Sequence, residues 1–347
     1  MTEKNVELKL AKEISRRDIL MALARHPNSD SIVVGSSDAK LYGFQLDDQK
    51  NDPVYEAVGH ESYITGMALS RSGLVTGGFD RRLVWWDAES KMPRHTTIDA
   101  HGRFIRDVRA SPDGRLLVSV GDDMIARVWD ADSATLLLEL SGHDLLTPQH
   151  FPSMLYACAI APDNEHVATV DRVGKIIVWQ LSNGSPVARL EAPEMYTWDP
   201  KQRRHSIGGI RSVAFSPDGV FLAVGGIGQI SNIDHLDGKA RVEVFDWRRG
   251  EKSHSYTDSG IKGLVEALVF HPGGDWLLAA GGDQNGFMIF FDLNDPKKSV
   301  HDEKAPMHIH ALAVSEKGDA IFAAGHNKIA KWNCSVSDKS PATPDGQ

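Results

Sequence analysis

Short segments in which apolar and polar residues alternate recur along the chain, each bounded by Gly, Pro, Asp or Asn. The group IRDVRA (105–110), LLVSV (116–120) and IARVW (125–129) is one instance. Alternation at period two in β-branched and aromatic residues predicts strands, and the intervening SPDGR predicts a tight turn. The turn recurs as RHPNS, SRSGL, SPDGR, APDNE, SPDGV, HPGGD and SEKGD. Each group ends on an aromatic residue, Phe44, Trp86, Trp129, Trp179, Phe245, Phe291 or Trp332, at spacings of 42, 43, 50, 66, 46 and 41. That is a repeat of just over forty residues with a few insertions. Each repeat supplies three clear strands and a weaker outer one such as TLLLELS (135–141). No such unit buries both of its faces alone, so the expected architecture is all-β, with sheets packed radially against one another.

Two repeats open on Gly-His, Gly59-His60 and Gly142-His143, and close on Trp86-Asp87 and Trp179-Gln180, while the repeat between them closes on Trp129-Asp130. On these residues the chain resembles the WD40 family of β-propellers across nearly its full length. Repeats five to seven depart from the pattern, lacking Gly-His and keeping only Phe-Asp or Trp-Asn at the end. The resemblance implies one seven-bladed WD40 β-propeller over residues 1–335 and a polar, disordered tail over 336–347. After Trp332 the seventh repeat has no outer strand, whereas NVELKLAKEIS (5–15) is a spare alternating segment. In the family the two chain ends commonly share a blade, so closure by an N-terminal strand in the last blade is expected.

Composition narrows the function classes. With 41% hydrophobic and 24% charged residues the chain reads as an ordinary globular protein, and its 31 glycines fit a turn-rich fold. Two cysteines, each in an apolar run, do not make a disulfide framework and point to a reducing, cytoplasmic setting. The N-terminus alternates charge with apolar residues, unlike a secretory signal, and no run is long and apolar enough to span a bilayer, so no membrane partner is expected. A formal net charge of −9 opposes binding to nucleic-acid phosphates.

Ser111–Asp130 invites a catalytic reading, because Ser119 and Asp123 lie close to His101. WD40 blades similar to this one contain a hydrogen-bonded tetrad of His, Ser or Thr, Asp and Trp. His60, Thr76, Asp80 and Trp86 match it in the second repeat, and His101, Ser119, Asp123 and Trp129 in the third. A buried indole N–H needs an acceptor, and hydroxyl, imidazole and carboxylate can satisfy one another in a chain. A mid-strand hydroxyl without a sharp elbow, repeated in two neighbouring repeats, fits architecture rather than a nucleophile. No catalytic residue is therefore expected.

Four further signals are weak. Gly226-x-Gly228-x-x-Ser231 approaches a dinucleotide fingerprint but no helical pattern follows it. Asp234–Gly238 lacks the ligand ladder of a calcium loop. His308 and His310 share a strand face, but two imidazoles do not make a zinc site, so neither metal nor cofactor is expected. Lys201–His205 is a local basic cluster, read as a solvated loop or as a contact for an acidic partner.

The long intervals arise from SGHDLLTPQHFPSM, APEMYTWDPKQRRHSIGG and GGIGQISNIDHLDGKA, all in connections that emerge on one face of a four-stranded blade. Long loops on one face of a repeat scaffold are often binding loops. In WD40 proteins the residue five before the turn lies at the mouth of the central channel. By that alignment the mouth is ringed by Met21, Thr65, Arg106, Tyr156, Arg211, Glu266 and His310, with Tyr63, Phe104 and His308 two residues earlier in their repeats. Tyr63, Phe104, Arg106, Tyr156, Arg211, Glu266 and His310 are the expected partner-binding residues, since aromatic and Arg side chains dominate interface hot spots. The expected function is a non-enzymatic scaffold that binds a peptide or protein partner, one with an acidic group that the guanidiniums can grip. The alternative is a propeller enzyme or small-ligand binder with its site at the top of the channel.

Overall fold

The computed structural model describes residues 4–200, 205–231, 236–257, 260–283, 285–293 and 299–338. In chain order the strands are β1 (Lys4–Arg25), β2 (Ser31–Ser36), β3 (Lys40–Gln45), β4 (Tyr55–Val58), β5 (Ile64–Ser70), β6 (Gly73–Gly78), β7 (Leu83–Trp86) and β8 (Pro93–Thr97). Then follow β9 (Ile105–Ala110), β10 (Leu116–Gly121), β11 (Ile125–Asp130), β12 (Leu136–Ser141), β13 (Leu155–Ile160), β14 (His166–Asp171), β15 (Lys175–Gln180) and β16 (Pro186–Glu191). The remainder are β17 (Tyr196–Asp199), β18 (His205–Gly208), β19 (Ile210–Phe215), β20 (Phe221–Ile227), β21 (Ala240–Asp246), β22 (Glu251–Tyr256), β23 (Leu264–Phe270), β24 (Leu277–Gly282), β25 (Gly286–Phe291), β26 (Ser299–Ala305), β27 (Ile309–Val314) and β28 (Ala320–Asp338). Among the described residues the helical element is a single 3-10 turn, Pro193–Met195. Among these residues no helix is long and apolar enough to cross a membrane.

The strands form a β-propeller. Five antiparallel sheets of four strands take their strands in sequence order: β5–β8, β9–β12, β13–β16, β19–β22 and β23–β26. The first strands lie side by side around an inner cavity in the order β1, β5, β9, β13, β19, β23 and β27, and β27 returns to β1. Adjacent sheets bury their facing side chains against each other. Val118, Val128 and Leu140 pack with Cys158, Ile177 and Trp179 across one junction, and Ala168, Val170 and Val178 with Val213, Leu222 and Phe245 across the next.

Counted as continuous hydrogen-bonded sheets of four or more strands there are six among the described residues, where the repeats predict seven. The sixth runs β27-β28-β1-β2-β3-β4. Two strands longer than the repeat unit join its parts. β1 pairs with β28 from Lys4 to Ile19 and with β2 from Leu20 to Arg25. β28 pairs with β27 through Ile321–Gly325 and with β1 from His326 onward. Asn327 has a left-handed φ of 59°, and the Cys334 N–H reaches the Asp319 carbonyl at 2.8 Å, so the chain doubles back within β28. Lys328 Nζ to Glu13 Oε1 at 2.7 Å and Asn327 Nδ2 to the Arg17 carbonyl at 2.8 Å add side-chain ties across the same seam. β28 continues to Asp338 opposite Lys4, past residue 336 where the sequence places the start of the tail. Residues 339–347 lie outside the described residues.

The turn between the first two strands of each repeat explains its Gly or Asn. That slot is left-handed at Gly114 (70°), Asn164 (60°), Gly219 (68°), Gly274 (75°) and Gly318 (76°), and in the first repeat the left-handed residue is Asn28 (52°), one position earlier in the turn. Gly carries no Cβ penalty there and Asn tolerates the conformation better than most residues. In the Ser-Pro-Asp-Gly form, Ser111 Oγ donates to Asp113 Oδ1 at 2.6 Å, and the Leu116 N–H donates to Ser111 Oγ at 2.9 Å. The turn thus satisfies its own backbone as it reverses the chain.

Candidate functional site

In the second repeat His60 Nδ1 lies 3.0 Å from Asp80 Oδ2, His60 Nε2 lies 2.7 Å from Thr76 Oγ1, and the Trp86 indole N–H donates to the same hydroxyl at 2.9 Å. In the third, His101 Nδ1 meets Asp123 Oδ1 at 2.9 Å, His101 Nε2 meets Ser119 Oγ at 2.7 Å, and Trp129 N–H donates to Ser119 Oγ at 2.9 Å. His101 and Ser119 have no solvent exposure, so no substrate reaches this hydroxyl. Burial lowers the pKa of His101 and favours its neutral form. Burial works against the Asp123 carboxylate, but His101, Arg127 and the Gly102 N–H outweigh it and hold its pKa well below the usual range. A third network occurs that sequence reasoning missed. His143 lies 3.0 Å from Asp171 Oδ2 and 2.8 Å from Thr169 Oγ1, to which Trp179 N–H donates at 2.8 Å. Gly142-His143 was the available signal. The acid is hidden because it stands two residues after the hydroxyl, not four as in the other repeats.

The inner cavity of about 610 Å³ is lined by all seven residues of the aligned ring: Met21, Thr65, Arg106, Tyr156, Arg211, Glu266 and His310. Each comes from the first strand of its repeat, whose side chains point inward at alternate positions. Arg211 stacks over the Tyr156 ring at 3.5 Å, and its Nη1 is buried without a hydrogen-bond partner. Arg106 is differently placed. Its Nε and Nη2 donate to the two oxygens of Asp122 at 2.6 and 2.8 Å, so the fork that could grip a partner's carboxylate is engaged within its own sheet. The acid pair Asp122-Asp123 is thereby divided between the mouth and the buried network.

Tyr63 and Phe104 stand outside this ring, at 42% and 45% exposure. Phe79 joins them by stacking at 5.6 Å on Tyr63 and 4.6 Å on Phe104, and Arg106 lies 4.9 Å above it. Phe79 was missed. Its signal is position: it precedes the network acid Asp80 as Asp122 precedes Asp123. On the far side of the mouth Glu266 is half-buried, and its desolvation raises its pKa, with Arg211, His308 and Arg106 acting in the opposite direction. His308, His310 and His326 group beside it, their ring centroids 4.7 to 4.9 Å apart. Burial, then the neighbouring His308 and His326, push the His310 pKa down to about 3.

The insertions lie between β12 and β13, between β16 and β19, and between β20 and β21, connections that emerge on one face of the ring. β17 and β18 form a two-stranded ribbon between the third and fourth of the four-stranded sheets. Trp198 of this ribbon packs on Phe151 at 5.4 Å, and Tyr196 donates to Gln149 Oε1 at 2.6 Å, which joins the two loops. Leu145 and Phe151 remain 67% and 42% exposed there. Residues 201–204 of the basic cluster, and Asp234 and His235 of the acidic turn, lie outside the described residues. β20 passes from Gly226 into an extended loop where Gly228 N–H donates to the Lys239 carbonyl at 2.8 Å, which is not a dinucleotide-binding turn into a helix.

The WD domain, G-beta repeat family matches residues 51–87, 92–130 and 199–242. The chain is 29% identical over 255 residues to nuclear distribution protein PAC1 of Arthroderma benhamiae, covering 70% of this chain and 42% of that protein. It is 24% identical over 293 residues to a guanine nucleotide-binding protein subunit beta-like protein of Encephalitozoon cuniculi, covering 79% and 81%. With eukaryotic translation initiation factor 3 subunit I of Candida albicans it shares 26% identity over 242 residues, 66% and 61% of the two chains. The chain thus spans about two fifths of the nuclear distribution relative but most of the beta-like one. Repeated sheets around a cavity, the His–hydroxyl–Trp networks inside them and these matches converge: the chain contains WD40 repeats, arranged as a β-propeller.

Proposed function

We propose that this protein is a non-enzymatic interaction platform, with the face around the cavity mouth docking a peptide or protein segment that carries an acidic group. The observation that carries this reading is the side-by-side placement of Arg211, stacked on Tyr156 with an unsatisfied Nη1, and the half-exposed Tyr63–Phe79–Phe104 ledge. A guanidinium nitrogen without a hydrogen-bond partner, as Arg211 Nη1 is, is prepared for a carboxylate, and neighbouring aromatics exclude water around the pair. The exposed Leu145 and Phe151 extend the apolar surface along the same face. Two of the relatives are named as subunits, which fits a role within assemblies. We further read the ring as seven blades, the six-stranded sheet counting twice because β28 doubles back and β1 serves two pairings, its first half closing the last blade.

The test is quantitative affinity capture with the intact chain as bait, followed by calorimetry on the recovered partner. Arg211→Ala and Tyr63→Ala should each weaken binding. Substitution of Asp113, Asp163 and Asp218, in turns at the opposite end of the sheets, should not. Binding lost through those aspartates and retained in Arg211→Ala would place the site on the wrong face.

A further inference from the structure

Glu266, His308 and His310 are drawn from two neighbouring repeats, and their ligand atoms lie within 4.8 Å of one another at the cavity mouth. Three features of this cluster go beyond packing. First, His308 Nε2 and His310 Nε2 are both buried and without a hydrogen-bond partner. Buried polar atoms in folded proteins are nearly always paired, so two orphans side by side call for an explanation. Second, His308 Nδ1 lies 3.2 Å from the Asp283 carbonyl, which can only accept, so the ring proton sits on Nδ1. In the neutral ring Nε2 then carries a lone pair, and Glu266 Oε1 lies 3.9 Å from it. A lone pair facing a carboxylate is repulsive unless a cation stands between them. Third, the ring space is kept clear: a Cβ on Gly282 would lie 3.0 Å from the His308 ring carbon Cγ.

We propose that Glu266, His308 and His310 bind one divalent transition-metal ion of the zinc type, with a coordination position left open toward the cavity. Two imidazoles and one carboxylate are the donor set of open zinc sites, and a second-sphere carbonyl on the far nitrogen fixes the ligating tautomer. Donors around tetrahedral zinc stand about 3.3 Å apart at its usual bond lengths, so the cluster closes by roughly 1.5 Å on binding. Glu266 and His310 border the open cavity and have room to make that shift. The rival occupant of the gap is a proton. At 3.9 Å, His308 and Glu266 are too far apart for the direct hydrogen bond that a shared proton would make. Arg211 faces the same carboxylate, and its charge sets the affinity below that of a closed four-ligand site.

The site is independent of the docking proposal, and its test needs no partner. The intact, chelator-stripped chain is titrated with cobalt(II), followed by zinc in competition. The expected result is one equivalent of cobalt with visible ligand-field absorption, displaced by zinc, together with a zinc-dependent rise in melting temperature that saturates at one equivalent. Histidine ring NMR should show His308 and His310 shifting first. Glu266→Gln and His310→Ala, checked for folding by their melting curves without metal, should abolish uptake, whereas His254→Ala at a distant outer strand should leave it intact. Absence of stoichiometric uptake by the unmodified chain overturns the proposal, as does uptake that survives in folded His310→Ala.

Discussion

The three sheets β5–β16 and the sheets that follow them solve the same packing problem with different chemistry. In the first group each last aromatic is a Trp whose N–H ends in a buried hydroxyl–imidazole–carboxylate chain. In the β23–β26 sheet the equivalent place is Phe291, stacked at 4.1 Å on Tyr256, and Trp276 packs edge-on to Phe290 at 5.1 Å. Trp276 Nε1 is buried without a hydrogen-bond partner. Polar networks fix a geometry through directional bonds, and a fully satisfied one rigidifies its surroundings. Aromatic packing supplies buried area with less directional constraint. The mouth follows the same division: the networked side presents the aromatic ledge with Arg106 and Arg211's partner Tyr156, and the other side presents Glu266 and the histidines.

The contrast can be broken or sharpened in order of expected effect. Removing residues 1–15 strips β28 of its partner and exposes a long sheet edge, so the truncated chain should lose its cooperative melting transition and aggregate. A truncation that melts like the parent would show that the seam between β1 and β28 does not hold the ring.

Acid should unfold the networked side. His101 has its pKa lowered by burial, so the unfolded chain takes up a proton below about pH 6.5 that the folded chain refuses, and stability falls as pH drops through that range. Asp80 and Asp123 are depressed despite their burial, so their contributions are complete above about pH 4 and are lost as pH falls further. Melting temperature followed from pH 8 to pH 3 should decline in these two stages. Asp123→Asn should flatten the lower stage, and an unchanged profile would count against the network.

One substitution made on both sides isolates the hydrogen-bond contribution. Trp129→Phe leaves the Ser119 hydroxyl without its indole donor, whereas Trp276→Phe removes an N–H that has no partner. Denaturant melts should show Trp129→Phe costing about 1–3 kcal/mol more than Trp276→Phe. Equal losses would mean that the network contributes no more than packing does. Smallest is the effect of Arg211→Lys on partner binding, roughly 1 kcal/mol by calorimetry, because an ammonium keeps the charge but loses the planar stack on Tyr156.

The repeats, their turns and the two networks around His60 and His101 were legible because each rests on local pattern: period-two alternation, a left-handed turn slot, and a hydroxyl a fixed distance from an acid and a Trp. The third network escaped because Asp171 replaces the expected acid from a different backbone position, and only the fold brings it to His143. The sheet count differed because β1 and β28 each serve two pairings, which a repeat-length argument cannot anticipate.

From residues alone follow the all-β class and the radial repeat, because alternation and turns are local, and the resemblance to WD40 propellers added the ring around the cavity by its place in each repeat. Tertiary structure alone decided which of those residues are free to act. Arg106 and Arg211 look alike in sequence, yet Asp122 occupies one and leaves the other open. His308 and His310 made an incomplete pair until the ring brought Glu266 from the preceding repeat to their side. Availability for binding depends on contacts between distant segments, and those distances are fixed only when the ring closes.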